Sequence, residues 1–245
     1  MTSKTQIMIE GGKRLGQIKS KTIDFVKAGL TPLEIDHYVD QQIRDSGDTA
    51  SFKTVDGYKH ATCINVNAGI VHGIPNSKPL LDGDVVKIDM GLFHKGYHLD
   101  TSTTVYINGT DPKIIKFLEV SQKALDDAIF MASAGNTVFD ISLAMQKGIE
   151  PAGYSVIRDL TGHGIGKKLH MTPFIPCFAD PRNKKDYLSV DQTIAIEVMS
   201  AMGDYQLVEE QDGWTLSTQD GSITAMYEET VCITENGPLV LTSLN

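Results

Sequence analysis

Cysteine is scarce in this chain of 245 residues: there are three, Cys63, Cys177 and Cys232, far apart and without CxxC spacing. That odd number and that spacing argue against a disulfide framework and against a cysteine–histidine zinc site. They read as reduced, mostly buried thiols of a cytoplasmic protein. Basic charge is also short. Twenty-two Lys and Arg face 31 Asp and Glu, giving a formal net charge of −9, which argues against nucleic-acid binding. No apolar run approaches the ~18 residues of a membrane-spanning helix. The first residues, "MTSKTQIMIEGGKRLG", lack the apolar stretch of a signal peptide. Low-complexity tracts and Pro/Gly/Ser-rich linkers are missing too. Histidine numbers only seven, yet two of them, His163 and His170, share one glycine-rich stretch, "TGHGIGKKLH".

What is present fits an ordinary globular protein with a sizeable core, 41% hydrophobic and 22% charged. An imperfect apolar stripe predicts a helix from about Ile7 to Lys27. "TPLE" then sets Thr31 as N-cap, Pro32 in the first turn and Glu34 closing a capping box, for a helix running to Asp45. Strands and tight turns follow. Asn67-Ala68-Gly69 and Asp82-Gly83 read as turns, Val85–Phe93 and Tyr97–Ile107 as a hairpin about His94-Lys95-Gly96. Asp111-Pro112 starts a helix to about Ser133, and "TVFD" at 137–140 starts another ending near Gly153. Strands return around 193–199, 205–210, 213–217 and 225–234. Helix, helix, strands, repeated once, predicts a duplicated half-chain. We read one domain over 1–245, of two related lobes, about 1–108 and 109–245.

The lobes share a peculiarity. "VVKIDMG" and "TIAIEVMS" are apolar strands, each holding a single carboxylate, Asp89 and Glu197. A lone buried carboxylate is very unfavourable unless it is paired or bound to metal. Asp100 and Glu228 lie in further strands, and the hairpin after Asp89 can return Asp100 beside it. With His163 these acids form an oxygen-rich ligand set with one imidazole, suited to Mn, Fe, Co or Zn. Each residue also has a plainer reading. Asp100 could bond a turn or a hydroxyl, Glu228 could lie on an edge strand, His163 could be a satisfied loop histidine, and Asp89 and Glu197 could each pair with Lys or Arg. The glycines of "GHGIGKK" lack the Walker spacing for phosphate.

Taken together, "VHGIP" (71–75), "KIDMG" (87–91), "YHLDTS" (97–102), "GHGIG" with a histidine seven residues after His163, "IAIEVM" (194–199) and "MYEET" (226–230) resemble the type I methionine aminopeptidases. The match runs over nearly the whole chain, in order and at family-like separations. The resemblance implies the α+β pita-bread (creatinase/aminopeptidase-type) fold, with helices packed outside a curved, mainly antiparallel sheet in two pseudo-symmetric lobes. It implies two divalent metal ions held by Asp89, Asp100, His163, Glu197 and Glu228, with Asp100 and Glu228 bridging. It implies removal of the N-terminal methionine from nascent polypeptides by metal-hydroxide attack on the first peptide bond. Glu197 would double as proton acceptor, His170 would face the substrate carbonyl, and His72 would contact the scissile amide. Tyr58, Cys63, Leu169 and Trp214 fall at methionine-pocket positions. The glycines around His163 are expected to let the chain turn sharply and aim that ring at the metal.

Several neighbours depart from the family pattern. Val198 stands where the family usually has proline, "HMTP" where it has His-Glu-x-Pro, Val71 where cysteine is common and Leu169 where phenylalanine is. These bear on the pocket and on the setting of His170. A zinc-finger extension seen in some eukaryotic members is missing, so a minimal bacterial or archaeal-type catalytic domain is expected. Two other readings compete. One is an Xaa-Pro-type pita-bread peptidase, whose members usually carry an extra N-terminal domain. The other is a non-catalytic pita-bread binding module, a type that typically loses ligands. The expected partners are a peptide or nascent-protein N-terminus and, transiently, the ribosome. We expect a cytoplasmic monomer with no membrane and no specific nucleic-acid partner.

Overall fold

The computed structural model describes residues 3–243. Helices α1 (Ser3–Phe25) and α2 (Pro32–Asp45) precede the first long strands; α3 (Pro112–Phe130) and α4 (Val138–Ile149) precede the second set. The caps are those the sequence predicts. The Glu34 N–H donates to Thr31 Oγ1 at 3.2 Å, and the Thr31 N–H donates to Glu34 Oε2 at 2.8 Å. Pro32 sits where a missing N–H leaves no bond unmade. Asp111 caps α3 through the Lys113 N–H at 2.8 Å, and Asp140 takes the Thr137 N–H of α4 at 2.8 Å. Three helices end sooner than the sequence predicts, α4 at Ile149 giving way to a 3₁₀ turn over Glu150–Ala152. α1 stops at Phe25, and α3 tightens at Met131 and Ala132, whose N–H groups reach back to Ala128 and Ile129.

The imperfect stripe of α1 has a steric cause. Its buried face carries Gly11, Gly12 and Gly16 among Met8, Leu15 and Ile18. A Cβ on Gly12 would stand 2.4 Å from the Leu241 carbonyl oxygen, and one on Gly16 2.7 Å from that of Thr242. The helix therefore seats on backbone, and its apolar stripe is broken where it fits most closely.

The described residues hold thirteen strands: β1 (Thr49–Ala50), β2 (Thr62–Val66), β3 (Gly69–Val71), β4 (Val85–His94), β5 (Tyr97–Tyr106), β6 (Ser155–Val156), β7 (Thr161–Gly164), β8 (Met171–Pro176), β9 (Thr193–Ala201), β10 (Leu207–Glu209), β11 (Leu216–Thr218), β12 (Thr224–Thr234) and β13 (Gly237–Val240). Ten form one sheet with the path β1-β4-β5-β12-β9-β7-β8, to which β2, β6 and β13 add at β4, β9 and β12. β10, β11 and β3 make a small second sheet. All the pairings are antiparallel. β10 and β11 are shorter than the strands expected there. Asp212 takes the N–H groups of Trp214 and Thr215 and holds that stretch as a turn.

Alternation along the long strands sorts the side chains. Val86, Ile88, Met90 and Leu92 of β4 join one apolar cluster with Met8 and Leu15 of α1 and Ile35, Val39 and Ile43 of α2. Ile194, Ile196 and Val198 of β9 join a second with Phe117 and Leu125 of α3 and Ile141 and Met145 of α4. Asp89 and Glu197, one residue out of phase, point to the opposite face. No helix among the described residues is long and apolar enough to cross a membrane.

Candidate metal centre and substrate cavity

Register assembles the site. Asp89 of β4 lies opposite Ser102 of β5, Ser102 opposite Glu228 of β12, and Glu228 opposite Glu197 of β9. Directly opposed residues share a face, so these form one row across the sheet. Asp100, two residues before Ser102, joins the same face. β7 closes the row, with His163 opposite Ala195 and two residues along from Glu197. One ligand atom each of Asp100, His163 and Glu228 falls within 4.8 Å of the other two, and His163 Nε2 lies 3.4 Å from Glu197 Oε1.

Five titratable groups are thus buried together, none more than 9% exposed. Like charges opposed across strands are destabilising, so the row needs a cation. No lysine or arginine pairs with these carboxylates among the described residues. Lys87, on the same strand as Asp89 and fully buried, spends its ammonium on the carbonyls of Asn67 at 2.7 Å and Val85 at 3.2 Å. Burial and mutual repulsion hold Asp100 and Glu228 well above the ordinary carboxylate range. The same causes raise Glu197, and burial pushes Asp89 up to about 7. Asp89 Oδ1, Ser102 Oγ and Glu228 Oε1 are buried with no hydrogen-bond partner. Orphaned oxygens beside an imidazole are the donor set of a divalent metal, and the residues present fit one.

His163 is prepared for that role. Its Nδ1 lies 2.9 Å from the Gly164 carbonyl oxygen, which can only accept, so Nδ1 carries the hydrogen. Nε2 is left with its lone pair toward the carboxylates. Burial pulls this ring down to about 4, keeping it neutral at pH 7. The glycines beside it act otherwise than the sequence reading expects. Neither Gly162, Gly164 nor Gly166 adopts a positive φ. A Cβ on Gly162 would stand 2.5 Å from the Ala195 carbonyl oxygen, and one on Gly164 2.3 Å from that of Thr172. Gly162 and Gly164 let β7 lie close against its neighbours; they do not bend a loop.

All the sequence-predicted site residues line one cavity of about 300 Å³. His170 sets its ring edge-on to His163, centroids 4.5 Å apart. His72 holds a left-handed backbone, φ 60, on a residue with a side chain, a strained conformation of the kind that collects at functional sites. Partial burial pulls both rings below the ordinary histidine value. Tyr58 and Trp214 meet edge to face at 5.2 Å, and the Tyr58 hydroxyl donates to the Thr62 carbonyl at 2.8 Å, which leaves an apolar wall. Cys63 lies opposite Asp89, and Cys63 and Leu169 both belong to the α1–α2 cluster. The sequence reading missed Phe52 and Val55, which line the same end from a short 3₁₀ turn with no periodicity to betray it. It also missed Thr230, which accepts the Asp100 N–H at 3.0 Å and donates to the Asp100 carbonyl at 2.7 Å. Thr230 follows Glu228 by two residues on one strand, and that spacing was its signal.

Residues 6–235 match the model of metallopeptidase family M24, and the chain belongs to this family; use of a divalent metal follows from that membership. Among curated relatives, the methionine aminopeptidase of Clostridium perfringens is 37% identical, over 96% of this chain and 94% of that one. Methionine aminopeptidase 1 of Bacillus subtilis is 35% identical, over 96% and 95%. The crystal structure of methionine aminopeptidase from Thermotoga maritima superposes with a TM-score of 0.96 at 34% identity, over 100% of this chain and 98% of that one. The α+β pita-bread fold expected from sequence is the fold found.

Proposed function

We propose that this chain is a methionine aminopeptidase, releasing the first residue from polypeptides that begin with methionine. The observation that carries the reading is a row of five buried ligand residues ending at an apolar wall, in a single cavity. Asp89, Asp100, His163, Glu197 and Glu228 would hold two divalent ions, drawn from Mn, Fe, Co or Zn. Such metal supplies an activated water and polarises the scissile carbonyl. The chain's own groups do the rest. Tyr58, Cys63, Leu169 and Trp214 receive the methionine side chain, which suits an apolar, aromatic wall. Glu197 takes the proton of the attacking water. His170, neutral, hydrogen-bonds the oxygen on which charge develops, and His72 passes a proton to the leaving amide nitrogen. We read residues 1–245 as one catalytic domain with lobes near 1–108 and 109–245, cytoplasmic, monomeric and in transient contact with the ribosome.

The test is methionine release from Met-Ala-Ser compared with cleavage of an Xaa-Pro peptide, after chelation and return of Mn or Co. We expect metal-dependent cleavage of Met-Ala-Ser alone, lost in His163→Ala. Metal bound without release from either peptide would favour a binding module. Cleavage of the Xaa-Pro peptide alone would move the substrate class. Metal analysis of the dialysed protein against its His163→Ala variant counts the ions.

A further inference from the structure

Tyr58 belongs to the apolar wall of the cavity, yet no helix or strand holds it. It lies in the irregular stretch between the 3₁₀ turn Phe52–Thr54 and β2. Its N–H closes a turn onto the Val55 carbonyl at 3.1 Å. Its hydroxyl donates to the Thr62 carbonyl at 2.8 Å, and its ring stands edge-on to that of His60, centroids 5.8 Å apart. The wall thus leans on residues 60–62.

Those residues are held by one side chain, Asp36 of α2. Asp36 Oδ1 accepts the Ala61 N–H at 2.8 Å, the Thr62 N–H at 2.9 Å and the Thr62 hydroxyl at 2.8 Å. Its Oδ2 faces His60 Nδ1 at 3.2 Å. Backbone N–H groups on a carboxylate make strong, directional bonds. Asp36 is buried, and Ala61 and Thr62 are fully so; without the carboxylate their N–H groups would be left unmade, away from water. No lysine or arginine pairs with Asp36 among the described residues. The next side chain along the strand is Cys63, which lies opposite Asp89 and lines the cavity. Asp36 therefore grips the chain between two wall residues, Tyr58 before the grip and Cys63 after it. Asp40, one turn along the same helix, is spent otherwise, on Arg44 and Lys53.

We propose that Asp36 is a positioning residue for the methionine pocket: by fixing residues 60–62 it sets Tyr58 and Cys63 for the first side chain of the substrate. The inference rests on the aminopeptidase reading above. Asp36 touches no substrate; it acts through Thr62 and His60.

The experiment measures kcat/KM for Met-Ala-Ser and Leu-Ala-Ser with the metal-loaded protein. Asp36→Ala should lower the preference for methionine over leucine by about tenfold, within the range that the fit of an apolar side chain commands. Asp36→Asn keeps an acceptor oxygen in place and should retain most of the preference. Ile43→Ala, about two turns further along α2, should lower stability through its cavity and leave the preference standing. Trp214, the chain's one tryptophan, meets Tyr58 at 5.2 Å, so its fluorescence reads the wall without substrate. Acrylamide should quench it more in Asp36→Ala than in the wild type or Ile43→Ala. If Asp36→Ala does not fold, Thr62→Val carries the test: it loses the hydroxyl's bond to Oδ1 and should lower the preference by about threefold, the scale of one hydrogen bond. A preference that these variants leave unchanged, or that falls equally in Ile43→Ala, overturns the proposal. Unchanged quenching in Asp36→Ala overturns it too. Cleavage of neither peptide by the wild type, metal bound, defeats the aminopeptidase reading and this inference with it. Methionine release by the wild type, with a ratio unmoved in the variants, defeats the inference alone.

Discussion

Glu228 and Glu229 are neighbours on β12 and live in opposite conditions. Glu229 turns toward α1. Lys19 donates to its Oε1 at 2.5 Å, Thr242 bonds its other oxygen, and Lys19 also reaches Thr101 at 2.8 Å. Glu228 turns to the cavity, where Glu197 stands directly opposite, Asp100 crowds it and its Oε1 has no partner. One face of the sheet neutralises its carboxylate with protein. The other leaves its carboxylates for something the chain does not encode. The satisfied glutamate holds the strand in place, and the unsatisfied one makes the strand useful.

The contrast can be broken at either residue. The largest effect is expected at the cavity face. Glu228→Gln should abolish methionine release, yet raise the melting temperature of the metal-stripped protein, because a buried charge facing like charges is removed. Lost activity together with lost stability would mean that Glu228 acts as a structural residue. On the helix face, Glu229→Gln should leave the half-buried Lys19 without a counter-charge, holding only Thr101, and cost about 2 kcal/mol of stability by denaturant titration. A loss under about 0.5 kcal/mol, the level of a surface substitution, would equate the two faces.

The pH dependence of the metal-stripped protein sharpens the comparison further. Asp89 titrates at about 7 when folded and near 4 when unfolded, so the folded state binds the extra proton. Asp100, Glu197 and Glu228 shift the same way. Their contribution is fully present at low pH and is lost as pH rises from about 4 through 7. His163, lowered to about 4, works against them up to about 6.5. Four groups against one should give a melting temperature that falls over that window, more steeply in His163→Ala, and that recovers with Mn. A flat profile would remove the electrostatic case for the site. The smallest effect is expected at Tyr58→Phe, which loses the hydroxyl's bonds to the Thr62 and Gly73 carbonyls, about 1 kcal/mol. Methionine release should persist, since the ring remains.

Much of this was legible in the residues. Thr31-Pro32-Glu34 and Asp111-Pro112 announced their helices because caps are local chemistry. Asp89 and Glu197 stood out because each is a lone acid in an apolar strand. Their meeting was not local. It depends on how β4, β5, β12 and β9 align, and hydrophobic alternation alone does not fix that alignment between distant strands; the motifs in order, and the family they resemble, supplied it. The role of the glycines around His163 was misread for a related reason. A glycine that yields to a neighbour's backbone looks, in sequence, like one that turns.

The glycine seat of α1 has a consequence in time. Gly12 and Gly16 rest on Leu241 and Thr242, so α1 completes its packing against residues synthesised long after it. During translation α1 must wait with part of its buried face uncovered, and domains assembled from such distant partners are exposed to misassembly until both have emerged. An enzyme proposed to trim nascent chains would itself be, as a nascent chain, among the later to close.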